Sequence, residues 1–116
     1  MTGFKSFGPR TVTVKLSPGF TCIVGPNGAG KSNIIDALCF SLGRLSKKTM
    51  RAEKLEDLIF AGSKGKNPST KASVTLYFDN SEGIFPGGTD DFQITRVVRK
   101  GKGNKQRYNP NRRNRL

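Results

Sequence analysis

The segment that most constrains this chain is a glycine-rich run made of Gly25, Pro26, Asn27, Gly28, Ala29, Gly30, Lys31 and Ser32. This run satisfies the pattern G-x-x-x-x-G-K-[S/T] of a phosphate-binding loop. Its glycines let backbone N–H groups turn toward phosphate oxygens, and the loop ends where a helix N-terminus attracts anions. The lysine can reach the β- and γ-phosphates, and the serine hydroxyl can ligate Mg²⁺. The pattern therefore predicts a nucleoside triphosphate site in an α/β fold.

A chance match is the alternative in a chain with 14 glycines and many lysines. A functional loop needs a strand before it and a helix after it. Residues 20–24 form a short run, apolar except for Thr21, that is typical of a strand covered on both faces. Residues 31–42 predict a helix closed by Gly43, with apolar side chains at helical spacing at Ile34, Ile35, Leu38, Cys39 and Leu42. This context favours the functional interpretation.

The rest of the chain predicts a mixed sheet around the phosphate-loop helix. Apolar and polar residues alternate over residues 12–16 and 72–78, and a less regular strand is expected over residues 92–98. A second, shorter helix is predicted over residues 52–61. We expect residues 1–98 to form one lobe and residues 99–116 to be a basic Gly/Asn-rich tail, either a hairpin arm or disordered.

The charge balance indicates polyanionic partners. Lys and Arg number 21 against 8 acidic residues, for a net charge of +13. Nucleic acid, nucleotide phosphates and acidic membrane are the candidates, and membrane is disfavoured because no apolar run approaches the roughly 18–20 residues of a spanning helix. Cys22 and Cys39 lie in apolar runs as core residues, so we expect a reducing, intracellular compartment.

A phosphate loop is not a complete ATPase, since hydrolysis also needs a metal-binding acid at a strand end and a group that positions water. No acidic residue follows an apolar strand in that manner. Asp79 comes nearest, but it is better explained as the first residue of a turn. Hydrophobic residues make up only 34% of the chain, which suggests that another polypeptide segment completes its core. The catalytic carboxylate is therefore expected outside this chain.

Three ordered motifs resemble the SMC (structural maintenance of chromosomes) family, in its prokaryotic-like form. They are Gly-Phe-Lys-Ser-Phe-Gly at residues 3–8, the phosphate loop with the helix that follows it at residues 25–37, and Met-Arg-Ala-Glu-Lys-Leu-Glu-Asp-Leu-Ile-Phe-Ala-Gly at residues 50–62. The resemblance implies the N-terminal lobe of an ABC-type ATPase head. The signature motif, the Walker B acid and the switch histidine would belong to a C-terminal lobe. Two heads would enclose two ATP molecules and act on DNA, with a kleisin-type subunit, in the cytoplasm on the chromosome.

The resemblance also assigns roles to individual residues. ATP would contact Lys5, Ser6, the loop from Gly25 to Ser32 and Asn33, and Ser32 would hold Mg²⁺. Arg51 would lie near ATP at the interface between heads, and DNA contacts would come from Lys54, Arg112 and Arg113. A solvated helix face is the plainer explanation for Arg51 and Lys54. Pro110 departs from the family pattern, because it would disrupt a central strand in the region that carries the paired arginines.

Three other functions stay open at this point. A head of a related coiled-coil DNA repair ATPase would use the same chemistry at a DNA end or gap. A basic nucleic-acid-binding module without catalysis would use the charge alone. An independent phosphate-loop kinase or GTPase is disfavoured, since base-recognition and metal-acid motifs are missing. For the SMC assignment we expect ATPase activity only after completion by the C-terminal lobe and a second head, and none from this chain alone.

Overall fold

The computed structural model describes residues 1–43, 54–87 and 90–101, together with the backbone of residues 103–109. Its elements are two short 3-10 turns at Lys5–Phe7 and Leu55–Leu58, one helix α1 at Lys31–Ser41, and three strands. The strands are β1 at Lys71–Asp79, β2 at Asp91–Arg99 and β3 at Gly103–Asn109. They form an antiparallel sheet in the order β1-β2-β3. The α/β class is confirmed, and the sheet that these strands form is antiparallel throughout.

The hairpin of β1 and β2 follows from the alternation of apolar and polar residues along both strands. Ala72 pairs with Val98, and Val74 pairs with Arg96, so that these four side chains lie on the same buried face. The predicted strands over residues 72–78 and 92–98 are confirmed. Each proves one residue longer at both ends, which is within the usual uncertainty of strand limits.

The predicted turn after β1 is also confirmed, and two side chains build it. The backbone N–H of Ser81 donates to Oδ1 of Asp79 at 2.9 Å. This hydrogen bond stabilises the ionised carboxylate and holds the pKa of Asp79 below its usual value. Asn80 is buried and exchanges two hydrogen bonds with the backbone of Phe85. Asp79 therefore shapes the turn.

The core lies between α1 and the buried face of the hairpin. Its apolar cluster consists of Phe4, Ala37, Phe40, Leu58, Ile59, Ala72, Val74 and Val98. The chain's first residues close this core, since Thr2 exchanges backbone hydrogen bonds with Ser73 and the N–H of Phe60 donates to the carbonyl of Gly3. Burial also lowers the pKa of the Met1 amine, which donates to the carbonyl of Val12 at 2.8 Å. The N-terminal segment is thus held beside the start of β1.

A buried arginine joins the sheet to the C-terminal end of α1. Arg96 is only 4% exposed, and its Nη1 donates to the carbonyl of Phe40 at 3.0 Å. Its guanidinium also lies 5.2 Å from the centre of the Phe40 ring. A cation at a helix C-terminus complements the partial negative charge there. Arg96 therefore fixes the end of α1 on β2.

The two strands predicted before the phosphate loop are not formed. Residues 12–24 are all described, and they contain no strand. Phe20 is 93% exposed and Val24 is 83% exposed, so the segment expected to be covered on both faces is open. A strand needs hydrogen-bonded neighbours along its length. Among the described residues, Met1 exchanges backbone hydrogen bonds with Val12 at the start of this segment, and the pairing does not continue to Val24. The prediction of strands in this segment was therefore wrong for this chain. A strand from another polypeptide segment that covers residues 12–24 would explain their apolar composition.

The predicted helix over residues 31–42 is confirmed almost to its ends, but its buried face is not the predicted one. Asp36, Ala37, Phe40 and Ser41 are buried, whereas Ile35 and Leu42 are exposed. A helix with apolar residues on all sides can be covered all round, and here the hairpin covers one side only. The second predicted helix is a short 3-10 turn at Leu55–Leu58, and residues 52 and 53 lie outside the described residues. Among the described helices, none is long and apolar enough to cross a membrane.

Candidate phosphate-binding site

The glycine-rich loop turns sharply before α1. The N–H of Ala29 donates to the carbonyl of Pro26 at 3.2 Å, and Gly28 has a φ of 82°. Gly30 follows with a φ of 99° and occupies the N-cap position of α1, where no side chain caps the helix. Uncapped N–H groups and the helix dipole make this end a favourable place for an anion. The loop thus presents an open helix N-terminus.

The two glycines of this turn differ in their surroundings. A Cβ on Gly28 would meet no atom within 4 Å, so the loop is open on that side. A Cβ on Gly30 would lie 3.3 Å from Oγ of Ser6 and 3.6 Å from the ring of Phe7. Gly30 is therefore required both by its left-handed backbone and by the close approach of the N-terminal turn.

Lys31 and Ser32 occupy the first positions of α1. The ammonium of Lys31 donates to the carbonyl of Gly25, so that the side chain folds back across the loop. Ser32 is exposed, and its hydroxyl is therefore accessible to a ligand. An ammonium over an open glycine loop and a free-standing hydroxyl beside it are the donor set that a magnesium–phosphate group requires. The residues present fit the nucleotide predicted from the sequence.

The 3-10 turn Lys5–Phe7 is brought against this loop by two side-chain contacts with α1. Nδ2 of Asn33 donates to Oγ of Ser6 at 2.7 Å. Nζ of Lys5 lies 2.6 Å from Oδ2 of Asp36 and forms an ion pair with it. The structure therefore places Ser6 and Asn33 beside the loop and directs Lys5 to the second turn of α1; the contacts of these residues with ATP stay predictions.

Two open cavities flank these residues. One, of about 410 Å³, is lined by residues that include Lys5, Ser6, Asp57, Ile59, Phe60 and Lys66. The other, of about 600 Å³, is lined by residues that include Phe20, Cys22, Ile23, Val24, Lys31 and Ile35. The first cavity lies between the N-terminal turn and residues 57–66. The second is an apolar hollow beside Lys31. Cys22 is exposed in this hollow, which corrects the prediction that it is a core residue.

The remaining predicted site residues divide by position. Lys54 is exposed, and its backbone N–H donates to Oδ2 of Asp57 at 2.7 Å. Arg51, Arg112 and Arg113 lie outside the described residues. The roles of all four stay predictions.

Sequence reasoning did not assign a role to Asp36 or Arg96. Asp36 is three residues after Asn33, and this spacing places both on one helix face, toward the N-terminal turn. Arg96 stands at an inward position in the alternation of β2. For Arg96 the available signal was a charged residue at a position where the alternation calls for burial, whereas Asp36 lies off the predicted apolar face of the helix.

Comparisons with known proteins identify the family. The family described as RecF/RecN/SMC N terminal domain matches residues 1–115. The chromosome partition protein Smc of Pyrococcus furiosus is 52% identical over 98 residues, which are 84% of this chain and 8% of that protein. The chain thus spans less than a tenth of the length of this curated relative.

Solved structures agree with this finding. A structure from work on ATP-driven dimerization and DNA-stimulated activation of SMC ATPases has a TM-score of 0.90 at 48% identity, covering 93% of this chain and 65% of the other. The Smc head domain of Pyrococcus furiosus, solved with an extended coiled coil and bound to the C-terminal domain of ScpA, also has a TM-score of 0.90 at 48% identity. That match covers 94% of this chain and 27% of the other. The resemblance seen in the three sequence motifs is confirmed, and this chain belongs to the RecF/RecN/SMC N-terminal domain family, with the fold of the N-terminal part of an SMC head.

Proposed function

We propose that this chain is the ATP-binding half of an SMC-type ATPase that organises chromosomes. ATP binding would drive the engagement of two heads, and hydrolysis would release them, coupled to DNA binding. The observation that carries the proposal is the open loop from Gly25 to Ser32 at the N-terminus of α1. Its uncapped helix end and the lysine folded across it have the geometry and charge of a triphosphate site.

Different residues of the loop would contact different parts of ATP and its metal ion. Backbone N–H groups of Gly28 and Gly30 would donate to phosphate oxygens, and Lys31 would leave the carbonyl of Gly25 for the β- and γ-phosphates. Ser32 would hold Mg²⁺, and Asn33 and Ser6 would support the loop from the side of the N-terminal turn. When bound, Mg²⁺ would neutralise charge on the phosphate oxygens.

The same head would need its C-terminal lobe for hydrolysis. Several described acids already have structural roles: Asp36 pairs with Lys5, Asp57 accepts from the backbone of Lys54, and Asp79 accepts from that of Ser81. Glu56 likewise accepts from the backbone of Gly101. The exposed apolar segment of residues 12–24 is suited to pairing with strands of another lobe. Both features support a site that is completed from outside this chain.

What is known of the relatives supports a proposal for the partners of the complete protein. The solved SMC structures concern ATP-driven dimerization, DNA-stimulated activation and binding to ScpA. We therefore propose a second SMC head, DNA and a kleisin-type subunit as partners of the complete protein, in the cytoplasm on the chromosome. Arg51 would contribute to the interface between heads, and Lys54, Arg112 and Arg113 would contact DNA. The net charge of +13 supports the DNA part of this proposal.

The test is calorimetric binding of ATP with Mg²⁺, combined with a hydrolysis assay, with and without a separately expressed C-terminal lobe. The wild-type chain should bind ATP tightly and hydrolyse it when that lobe is present, and should do neither without it. Lys31→Ala should abolish both, because it removes the cation that faces the phosphates.

Lys64→Ala is the matched control, since Lys64 is an exposed lysine in the turn between Ser63 and Lys66. It should behave like wild type. Robust turnover by this chain alone would contradict the half-site proposal, and so would unchanged binding in Lys31→Ala.

A further inference from the structure

Lys5 and Asp36 form a largely buried ion pair beside the loop. The side chain of Asp36 is 3% exposed and that of Lys5 is 13% exposed, and the two charged atoms lie 2.6 Å apart. A carboxylate this deep in the protein needs a partner, because removing it from water is costly. The pair is thus a built contact between the N-terminal turn and α1.

The backbone at Lys5 supports the same conclusion. Its φ is 44°, and among the described residues it is the only non-glycine residue with a positive φ. The backbone of a non-glycine residue with a positive φ is strained, and such a conformation persists only where the surrounding structure fixes it. Here the turn is closed by a hydrogen bond from the N–H of Gly3 to the carbonyl of Gly8 at 2.8 Å. The strained residue is also the residue that reaches Asp36.

The turn held in this way touches the phosphate loop at Ser6. Oγ of Ser6 accepts from Asn33 at 2.7 Å and lies 3.3 Å from the place of a Cβ on Gly30. Asn33 and Asp36 are three residues apart and therefore lie on one face of α1. One face of the helix thus holds the turn at two points, at Ser6 near the loop and at Lys5 farther along the helix.

We propose that Asp36 is a positioning residue for the nucleotide site, which acts through Lys5 to hold Ser6 and the turn Lys5–Phe7 against the loop. This inference rests on the proposed function and makes it more specific. It also reassigns Lys5, whose ammonium serves the ion pair with Asp36. Lys5 and Asp36 then form one unit, and loss of either has the same consequence for ATP binding.

The experiment is a double-mutant cycle of Lys5→Met and Asp36→Asn in the head completed by its C-terminal lobe, measured as calorimetric affinity for ATP with Mg²⁺ well below each variant's Tm. Each single variant should weaken binding by about tenfold, because small displacements of a site are costly. The double variant should weaken it no further, since the pair acts as a unit. If Asp36→Asn does not fold, Lys5→Met/Asp36→Leu replaces both charges with apolar groups and should show the same loss.

Two results would overturn the inference. If Lys5→Met weakens binding while Asp36→Asn leaves it unchanged or tightens it, Lys5 contacts the phosphates directly. If all variants lower the Tm but keep wild-type affinity, the pair has only a structural role. Lys31→Ala in the same assay separates the two proposals. If Lys31→Ala loses ATP binding while Asp36→Asn keeps wild-type affinity, this inference alone is overturned. If Lys31→Ala binds ATP normally, the proposed function is overturned.

Discussion

At the residue scale, Gly30 combines two demands that a side chain cannot meet together. Its φ of 99° lies in the left-handed region, and a Cβ would come 3.3 Å from Oγ of Ser6. The first demand concerns the backbone alone and the second concerns the contact with the N-terminal turn. A substitution therefore affects both the stability of the fold and the shape of the site.

We expect Gly30→Ala to lower the free energy of unfolding by about 1–2 kcal/mol, the cost of a left-handed conformation for a side chain, and to weaken ATP binding as well. Gly65→Ala is the matched control, because Gly65 has a φ of 76° and open space around its Cβ position. It should share the stability loss and keep the affinity. Chemical denaturation and calorimetry measure the two quantities, and equal affinities in both variants would contradict the role given to Gly30.

At the scale of elements, α1 depends on contacts at both of its ends. The N-terminal end meets the turn Lys5–Phe7, and the C-terminal end meets Arg96 of β2. Because α1 carries Lys31 and Ser32, a shift of its C-terminal end would also move the loop. The buried arginine is therefore a structural support of the site at a distance.

We expect Arg96→Lys to destabilise the protein by about 1–3 kcal/mol, since lysine cannot reproduce the planar group that bonds to the carbonyl of Phe40 and stacks on its ring. Arg99→Lys, at an exposed position near the end of the same strand, is the control and should cost much less. Thermal unfolding of both variants measures the difference. Equal Tm values would show that the buried contact contributes little.

The same elements show what sequence patterns can reveal. The two strands of the hairpin were predictable, because each obeys a local period that its own contacts satisfy. The helix after the loop was predictable in its position, but the face that it buries does not follow its apolar period. Residues 12–16 and 20–24 carry strand patterns without forming strands, since among the described residues the pairing with Met1 stops at Val12. The burial of Asp36 and Arg96 could not be predicted for a related reason. Asp36 contacts a residue 31 positions away in the chain, and Arg96 contacts one 56 positions away.

At the scale of the whole molecule, the described surface carries large exposed apolar side chains, several of them beside the phosphate loop. Leu16, Phe20, Val24 and Ile35 are all more than half exposed, and the hollow of about 600 Å³ beside Lys31 lies among three of them. Clustered apolar exposure of this kind marks an interaction surface. The phosphate loop lies at its edge, so the segment that covers this surface would also approach the nucleotide.

We therefore expect this chain by itself to bind a hydrophobic dye such as ANS, and addition of the C-terminal lobe to suppress the fluorescence. Phe20→Ser/Val24→Thr should reduce both the dye signal of the isolated chain and its affinity for the lobe, by about tenfold or more for two large apolar contacts. Ile84→Ser is the control, because Ile84 is 75% exposed in the turn between β1 and β2 and is not among the residues that line the hollow. If Ile84→Ser weakens lobe binding as much as the double variant does, general apolarity accounts for the interaction. If neither variant changes it, residues 12–24 are not the surface that the lobe covers.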